Sequence, residues 1–195
     1  MRDRALIIVD LQNDYFPGGK WTLSGIDKAA DNAARLLAAA RGSGDLVIHV
    51  RHEFATPDAP FFAPGSKGAE INSKVSNEGD EHVVLKNYIN SFRETDLKEV
   101  LERNGISKVV IAGAMSHMCV DGITRAAVDY GYDATVIHDA VATLDLEFNG
   151  VRVPAEQVHA AFMAALGFAY AKMMSTDEYL TVAGEPQALP NSVAV

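Results

Sequence analysis

The sequence is short of cysteine, positive charge and long hydrophobic runs. One cysteine in 195 residues cannot form an intrachain disulfide, which is typical of a protein in a reducing compartment. Lys and Arg number 17 against 26 Asp and Glu, and no basic stripe is visible, which argues against a nucleic-acid-binding protein. No apolar stretch approaches the roughly 18 residues of a membrane span. These absences, with a start unlike a signal peptide, predict a cytoplasmic protein that binds neither nucleic acid nor membrane.

Length and composition limit the number of domains. A chain of 195 residues with 48% hydrophobic content can bury one substantial core but not two. No internal repeat, linker or low-complexity segment interrupts it. We therefore predict a single domain over 1–182, followed by a weakly structured tail over 183–195.

Short apolar runs alternate with helical patterns along the chain, which predicts an α/β fold with a parallel sheet and helices on both faces. The predicted strands are 5–9, 46–50, 82–85, 108–112, 135–138 and about 170–174. The predicted helices are 28–41, 96–104, about 120–130 and 154–167. A long irregular stretch over 53–81 and a small hairpin over 145–158, turning at Asn149-Gly150, are expected to make subunit contacts.

The single cysteine, Cys119, lies at a strand-to-helix turn, at or near the first turn of the helix. Unpaired backbone N–H groups and the helix dipole favour an anion at such a position. This placement predicts a lowered thiol pKa and a nucleophilic thiolate. The alternative is that Cys119 is simply a small buried hydrophobic residue, as free cysteines commonly are.

Three predicted strands carry a chemically useful residue at or beyond their carboxyl ends: Asp10, Lys86 and Cys119. Ligands of open α/β sheets bind at this edge, where side chains from neighbouring strands can meet. Taken singly, Asp10 could cap the following turn and Lys86 could be a solvated surface lysine. Their joint placement favours one site.

Three segments carry a more specific signal. The first segment reads IVDLQND at 8–14. The second has LK at 85–86, SF at 91–92 and TDL at 95–97. The third has GAMSHMCV at 113–120 and TRA at 124–126. In this order and spacing the chain resembles the isochorismatase-like cysteine hydrolase superfamily, which includes nicotinamidases, N-carbamoylsarcosine amidases and ureidoacrylate hydrolases. The resemblance extends from Ala5 to about Tyr179.

The resemblance implies a three-layer α-β-α sandwich with a six-stranded parallel, Rossmann-like sheet. It implies a catalytic triad of Asp10, Lys86 and Cys119, and a cis peptide bond between Ala114 and Met115. The backbone N–H groups of Met115 and Cys119 would form the oxyanion hole. Members of the superfamily are commonly dimers or tetramers, so a homodimer or homotetramer is expected.

The implied reaction is hydrolysis of a non-peptide C–N bond, in an amide, carbamoyl or ureido group of a small molecule, through a thioester on Cys119. One alternative is cleavage of a vinyl ether such as that of isochorismate, which works by protonation and needs no cysteine. Another is a redox-sensing or binding module on the same scaffold. No second cysteine is present to resolve a sulfenic acid.

A metal site near the end of the second strand is not expected. His49, His52 and Glu53 lie there, but the Asp-x-His arrangement of nicotinamidases is missing and strand alternation separates the two histidines. We therefore predict neither metal nor cofactor. Arg51 and Arg93 could hold a substrate carboxylate or form surface salt bridges. Residues proposed for the substrate pocket are Gln12, Phe16, Trp21, His52, Tyr88, Phe92 and His117, with Phe61 and Phe62 as further aromatic neighbours.

Overall fold

Six apolar runs pair as a fully parallel β-sheet in the computed structural model, which describes residues 3–184. Together with a separate two-stranded hairpin, the strands are β1 Arg4–Val9, β2 Leu46–His52, β3 His82–Lys86, β4 Lys108–Ala114, β5 Asp133–Ala142, β6 Leu146–Phe148, β7 Val151–Val153 and β8 Ala171–Met174. The order across the sheet is β3-β2-β1-β4-β5-β8. The predicted six-stranded parallel sheet is confirmed.

Helices cover both faces of the sheet and complete three layers. They are α1 Ile26–Ser43, α2 Leu97–Arg103, α3 Cys119–Asp129, α4 Ala155–Ala169 and α5 Thr176–Gly184. Helices α1 and α5 pack on one core, and α2, α3 and α4 pack on the other. Because strands such as β1 are buried on both sides, they read as continuous hydrophobic runs rather than alternating ones.

The C-terminal part differs from the sequence expectation in one respect. Helix α5 was not predicted, and it includes residues 183 and 184 of the expected tail. The rest of that tail lies outside the described residues. Among the helices within 3–184, none is both long and apolar enough to cross a membrane.

The order of the strands determines which residues can meet at the carboxyl edge. Strand β2 lies between β1 and β3, and its last residue, His52, is in register with Lys86. On the other side of β1, Val9 is in register with Gly113 of β4. Asp10, His52, Lys86 and the turn before α3 are therefore brought to one edge.

The opposite end of β3 is held to α1 by a bidentate ion pair. Arg41 donates from Nε to Glu81 Oε1 at 2.8 Å and from Nη2 to Oε2 at 2.9 Å, and His49 Nε2 lies 3.2 Å from Oε2. The Arg41 hydrogen bonds lower the pKa of Glu81 from 4.5 to about 2, against the effect of burial.

The depressed pKa of Glu81 predicts a pH-dependent contribution to stability. A carboxylate with a lowered pKa stabilises the fold above its unfolded pKa and loses that contribution as pH falls through the folded value. We expect Glu81→Gln to reduce the free energy of unfolding by about 1–2 kcal/mol at pH 7, and the difference to shrink between pH 4.5 and about 2. Urea unfolding at several pH values tests this. A difference independent of pH would contradict it.

Candidate active site

Asp10 and Lys86 form an ion pair at the carboxyl edge of the sheet. Asp10 Oδ2 lies 2.8 Å from Lys86 Nζ, and both side chains are completely buried. Asp10 follows β1 with φ of +51°, a conformation that Asp tolerates better than most residues, and its backbone N–H donates to the Val50 carbonyl at 2.9 Å. This turn directs the chain away from the sheet immediately after β1. Removal of either partner would leave an uncompensated buried charge, which is strongly destabilising.

Three groups surround the Lys86 ammonium. Besides Asp10, its Nζ lies 3.2 Å from Cys119 Sγ and 3.0 Å from His52 Nδ1. Burial lowers the pKa of Lys86, but the Asp10 carboxylate and the contact with the Cys119 sulfur outweigh burial, so the pKa is raised overall. Lys86 is therefore a charged ammonium group bonded to the other two candidate residues.

Cys119 begins α3, and the residue is 4% exposed. Burial raises its pKa and the neighbouring Asp10 carboxylate raises it further, while Lys86 lowers it. The sequence-based expectation of a lowered pKa followed from the helix N-terminus alone, which these opposing effects outweigh. The thiol therefore keeps its proton at neutral pH. Apart from Lys86 Nζ, no described donor lies within bonding distance of the Asp10 carboxylate.

The turn before Cys119 leaves backbone donors available. The peptide bond between Ala114 and Met115 is cis. The Met115 carbonyl accepts from the N–H groups of Met118 at 3.1 Å and Val120 at 3.2 Å, and Ser116 N–H donates to Ala142. Within residues 3–184, the N–H groups of Met115 and Cys119 donate to no protein acceptor, so a ligand oxygen can use them.

Two residues expected in the pocket serve the framework of the site. Gln12 is completely buried, and its amide accepts from His52 N–H at 2.7 Å and donates to the carbonyls of His52 and Ala69 at 2.8 Å. His52 in turn contacts Lys86. Gln12 thus joins the end of β2 to the loop at residue 69.

The aromatic residues expected in the pocket fall into two groups, one near His52 and one in the core. Trp21 is 38% exposed and stacks on Phe61, with 4.8 Å between the ring centroids. The ring centroids of Phe61 and Phe62 lie 5.0 Å apart. Phe62 is completely buried and lies 6.3 Å from His52. Phe16 is 6% exposed and belongs to the core under α1.

Phe92 and Tyr88 were also expected in the substrate pocket. Phe92 packs against Tyr130 and Tyr132, beyond the end of α3 remote from Cys119, because Ser91-Phe92 leads into α2. The Tyr88 ring lies 3.7 Å under the Arg93 guanidinium. Phe92 is therefore a packing residue, and Arg93 has an aromatic partner outside the triad.

The remaining candidates have protein partners. His117 Nδ1 lies 2.7 Å from Thr143 Oγ1, its ring meets Phe162 edge-on, and burial lowers its pKa. Arg51 pairs with Glu53 at 2.7 Å. Within the described part of the chain, no group of three His, Cys, Asp or Glu side chains is arranged to hold a metal ion.

Sequence reasoning missed Tyr15 and Phe54. Tyr15 is 2% exposed, its ring centroid lies 4.5 Å from that of Phe62, and burial and the Asp10 carboxylate raise its pKa well above 10. Phe54 packs edge-on against the His52 ring at 4.8 Å. Tyr15 stands five residues after Asp10 in the polar stretch that follows β1, which was the available signal for it.

Comparisons with known proteins extend over nearly the whole chain. The family model described as Isochorismatase domain matches residues 4–178. The isochorismatase family protein YddQ of Bacillus subtilis is 46% identical, with 90% of this chain and 98% of that protein covered. A crystal structure described as an isochorismatase hydrolase from Oleispira antarctica superposes with a TM-score of 0.89 at 57% identity, covering 92% of this chain and 96% of that one.

Two relatives have names that state a hydrolytic reaction. Streptothricin hydrolase of Streptomyces noursei is 34% identical over 73% of this chain and 51% of that protein. Maleamate amidohydrolase of Pseudomonas putida is 29% identical over 72% of each. The carboxyl edge described above belongs to the matched region in this chain.

Proposed function

Because the chain belongs to the isochorismatase family of hydrolases, we propose that it hydrolyses a non-peptide C–N bond of a small molecule through a thioester on Cys119. Asp10 would act as general base and acid, and Lys86 would stabilise the sulfur anion. The substrate class is a small amide, carbamoyl or ureido compound. The observation that carries the proposal is the contact of one buried lysine with both Asp10 and Cys119.

The first step requires a base, because the thiol is protonated at neutral pH. Asp10 takes the proton as Sγ attacks the carbonyl carbon, and the Lys86 N–H that points to Sγ stabilises the developing thiolate. The carbonyl oxygen becomes an oxyanion. It accepts hydrogen bonds from the N–H groups of Met115 and Cys119, which no described acceptor uses.

The second step returns the proton and breaks the C–N bond. Asp10, now protonated, donates to the leaving nitrogen, which departs as ammonia or an amine and leaves an acyl thioester on Cys119. Asp10 then removes a proton from water, whose oxygen attacks the thioester carbonyl. The acid product leaves, a carboxylic acid from an amide or a carbamic acid from a carbamoyl or ureido compound, and the proton held by Asp10 returns to the sulfur.

The burial of the sulfur favours this reading over a redox sensor. A sensor cysteine reacts with peroxide as an exposed, low-pKa thiolate. Cys119 is 4% exposed and the pKa of its thiol is raised, so the uncomplexed protein holds little thiolate. Amide cleavage is supported by the name of the maleamate relative.

A trapped intermediate tests the proposal directly. We expect a panel of small amides, carbamoyl and ureido compounds to include a substrate whose acid-quenched reaction carries an acyl group on the tryptic peptide 109–125, which contains the only cysteine. Mass spectrometry of that peptide measures the adduct. If the protein hydrolyses a compound of the panel but no acyl adduct is detectable on rapid quench, a Cys119 thioester is contradicted. An adduct on another residue would contradict it as well.

A further inference from the structure

We propose that His52 is a positioning residue that orients the Lys86 ammonium towards Cys119, an inference that rests on the proposed function. His52 ends β2, which lies between the strands that carry Asp10 and Lys86. Its Nδ1 lies 3.0 Å from Lys86 Nζ, and the residue is 5% exposed. The lysine therefore has a third buried acceptor besides the carboxylate and the sulfur.

The hydrogen bonds of the imidazole fix its tautomer. An ammonium group can only donate, so Nδ1 accepts from Lys86 and the ring proton must be on Nε2. Burial and the charge of Lys86 together lower the pKa of His52 to about 4, against smaller opposite effects of Asp10, the Tyr88 backbone and Glu53. His52 is therefore a neutral acceptor throughout the neutral range.

The position of the ring is fixed by groups outside the triad. Gln12 holds the His52 backbone through both its N–H and its carbonyl. Phe54 packs edge-on against the imidazole at 4.8 Å, and Phe62 lies 6.3 Å away. These contacts hold the His52 acceptor in a fixed position. The long Lys86 side chain extends towards it from the edge strand β3.

This arrangement determines where the lysine protons point. Asp10 Oδ2 lies 2.8 Å from Nζ as its ion-pair partner and His52 Nδ1 accepts an N–H at 3.0 Å, so another N–H is directed at Cys119 Sγ, 3.2 Å away. An apolar side chain at position 52 would leave one buried N–H without an acceptor, which disfavours the ammonium form. Since the ammonium stabilises the thiolate, we expect the pKa of Cys119 to rise further in such a variant.

Alkylation of Cys119 by iodoacetamide measures this effect without a known substrate. We expect His52→Leu to move the pH profile of the alkylation rate up by about one unit, so that the reaction is about tenfold slower at a given pH. His52→Asn keeps an acceptor oxygen at the place of Nδ1. It is expected to react within about threefold of the wild type.

His49→Asn is the matched control, since His49 is a second buried histidine of β2 that contacts Glu81 and not the triad. We expect its alkylation profile to equal that of the wild type. Circular dichroism and thermal melts establish that each variant is folded. A folded His52→Leu protein with the wild-type profile, or an Asn variant as slow as the Leu variant, would overturn the positioning role.

Steady-state kinetics on a confirmed amide substrate give a second readout. A positioning residue acts on the chemical step, so His52→Leu is expected to lower kcat about tenfold or more and to change KM less than threefold. A change confined to KM would assign His52 to substrate binding instead. Because alkylation needs no turnover, failure of the hydrolase proposal and failure of the His52 proposal are distinguishable.

Discussion

Replacing Cys119 with alanine is expected to reduce turnover of an amide substrate by about 10⁴-fold or more. The variant retains Asp10, Lys86 and the backbone N–H groups, but it has no atom that can form the acyl intermediate. It is expected to fold, since the loss of one small buried sulfur, which also accepts an N–H from Lys86, costs about 1–3 kcal/mol. The ratio of kcat/KM between wild type and variant, measured on the same substrate, is the decisive quantity.

Ser91→Ala is a suitable control for the cysteine variant. Ser91 is completely buried, and its Oγ has no hydrogen-bond partner among the described residues. The change removes one buried polar atom outside the triad, and we expect activity within about twofold of the wild type. A Cys119→Ala protein that kept more than about 1% of the turnover would exclude covalent catalysis. Such a result would favour a protonation mechanism led by Asp10, as for a vinyl ether.

The second large effect is expected from Gly113→Ala, which should destabilise the protein by more than about 4 kcal/mol. Gly113 lies in the central strand β4 with φ of +134°, where residues with a side chain are strained. A Cβ built on it would lie 2.0 Å from the Val9 carbonyl oxygen. That atom belongs to the backbone of β1 and cannot rotate away. The strands that carry Asp10 and lead to Cys119 would have to separate.

Gly42→Ala provides the opposite expectation within the same chain. Gly42 lies in the helix α1, and a Cβ there would meet no atom within 4 Å. We expect this variant to gain about 0.5–1 kcal/mol, because alanine favours the helix more than glycine does. Urea unfolding of both variants tests the pair. A Gly113→Ala protein as stable as the wild type would show that β1 and β4 can adjust at this contact.

The sequence was sufficient for the fold because the strands of a sheet covered on both faces read as unbroken apolar runs, as in β1 and β4. The same pattern indicated where each strand ends, which brought Asp10, Lys86 and Cys119 to one edge. Helix α5 was missed because it is only nine residues long, which is too short for a helical pattern to repeat clearly.

The electrostatics of the site could not be predicted in the same way. The raised pKa of Cys119 depends on how deeply the sulfur is buried and on the proximity of Asp10, and neither is visible from a helix start. The pocket residues were chosen by closeness along the chain. Phe92 follows Lys86 by six positions, yet the chain turns into α2 and packs that ring against Tyr130.

Because β2 lies between β1 and β3, the reactivity of the Cys119 thiol depends on the sheet being complete on that side. Two strand spacings of about 4.8 Å separate the backbones that carry Asp10 and Lys86, so only a side chain as long as lysine closes the gap. The ammonium reaches the sulfur only after the edge strand has docked in register on β2. The reactivity of this single cysteine can therefore report, in refolding experiments, when the last strand on that side joins.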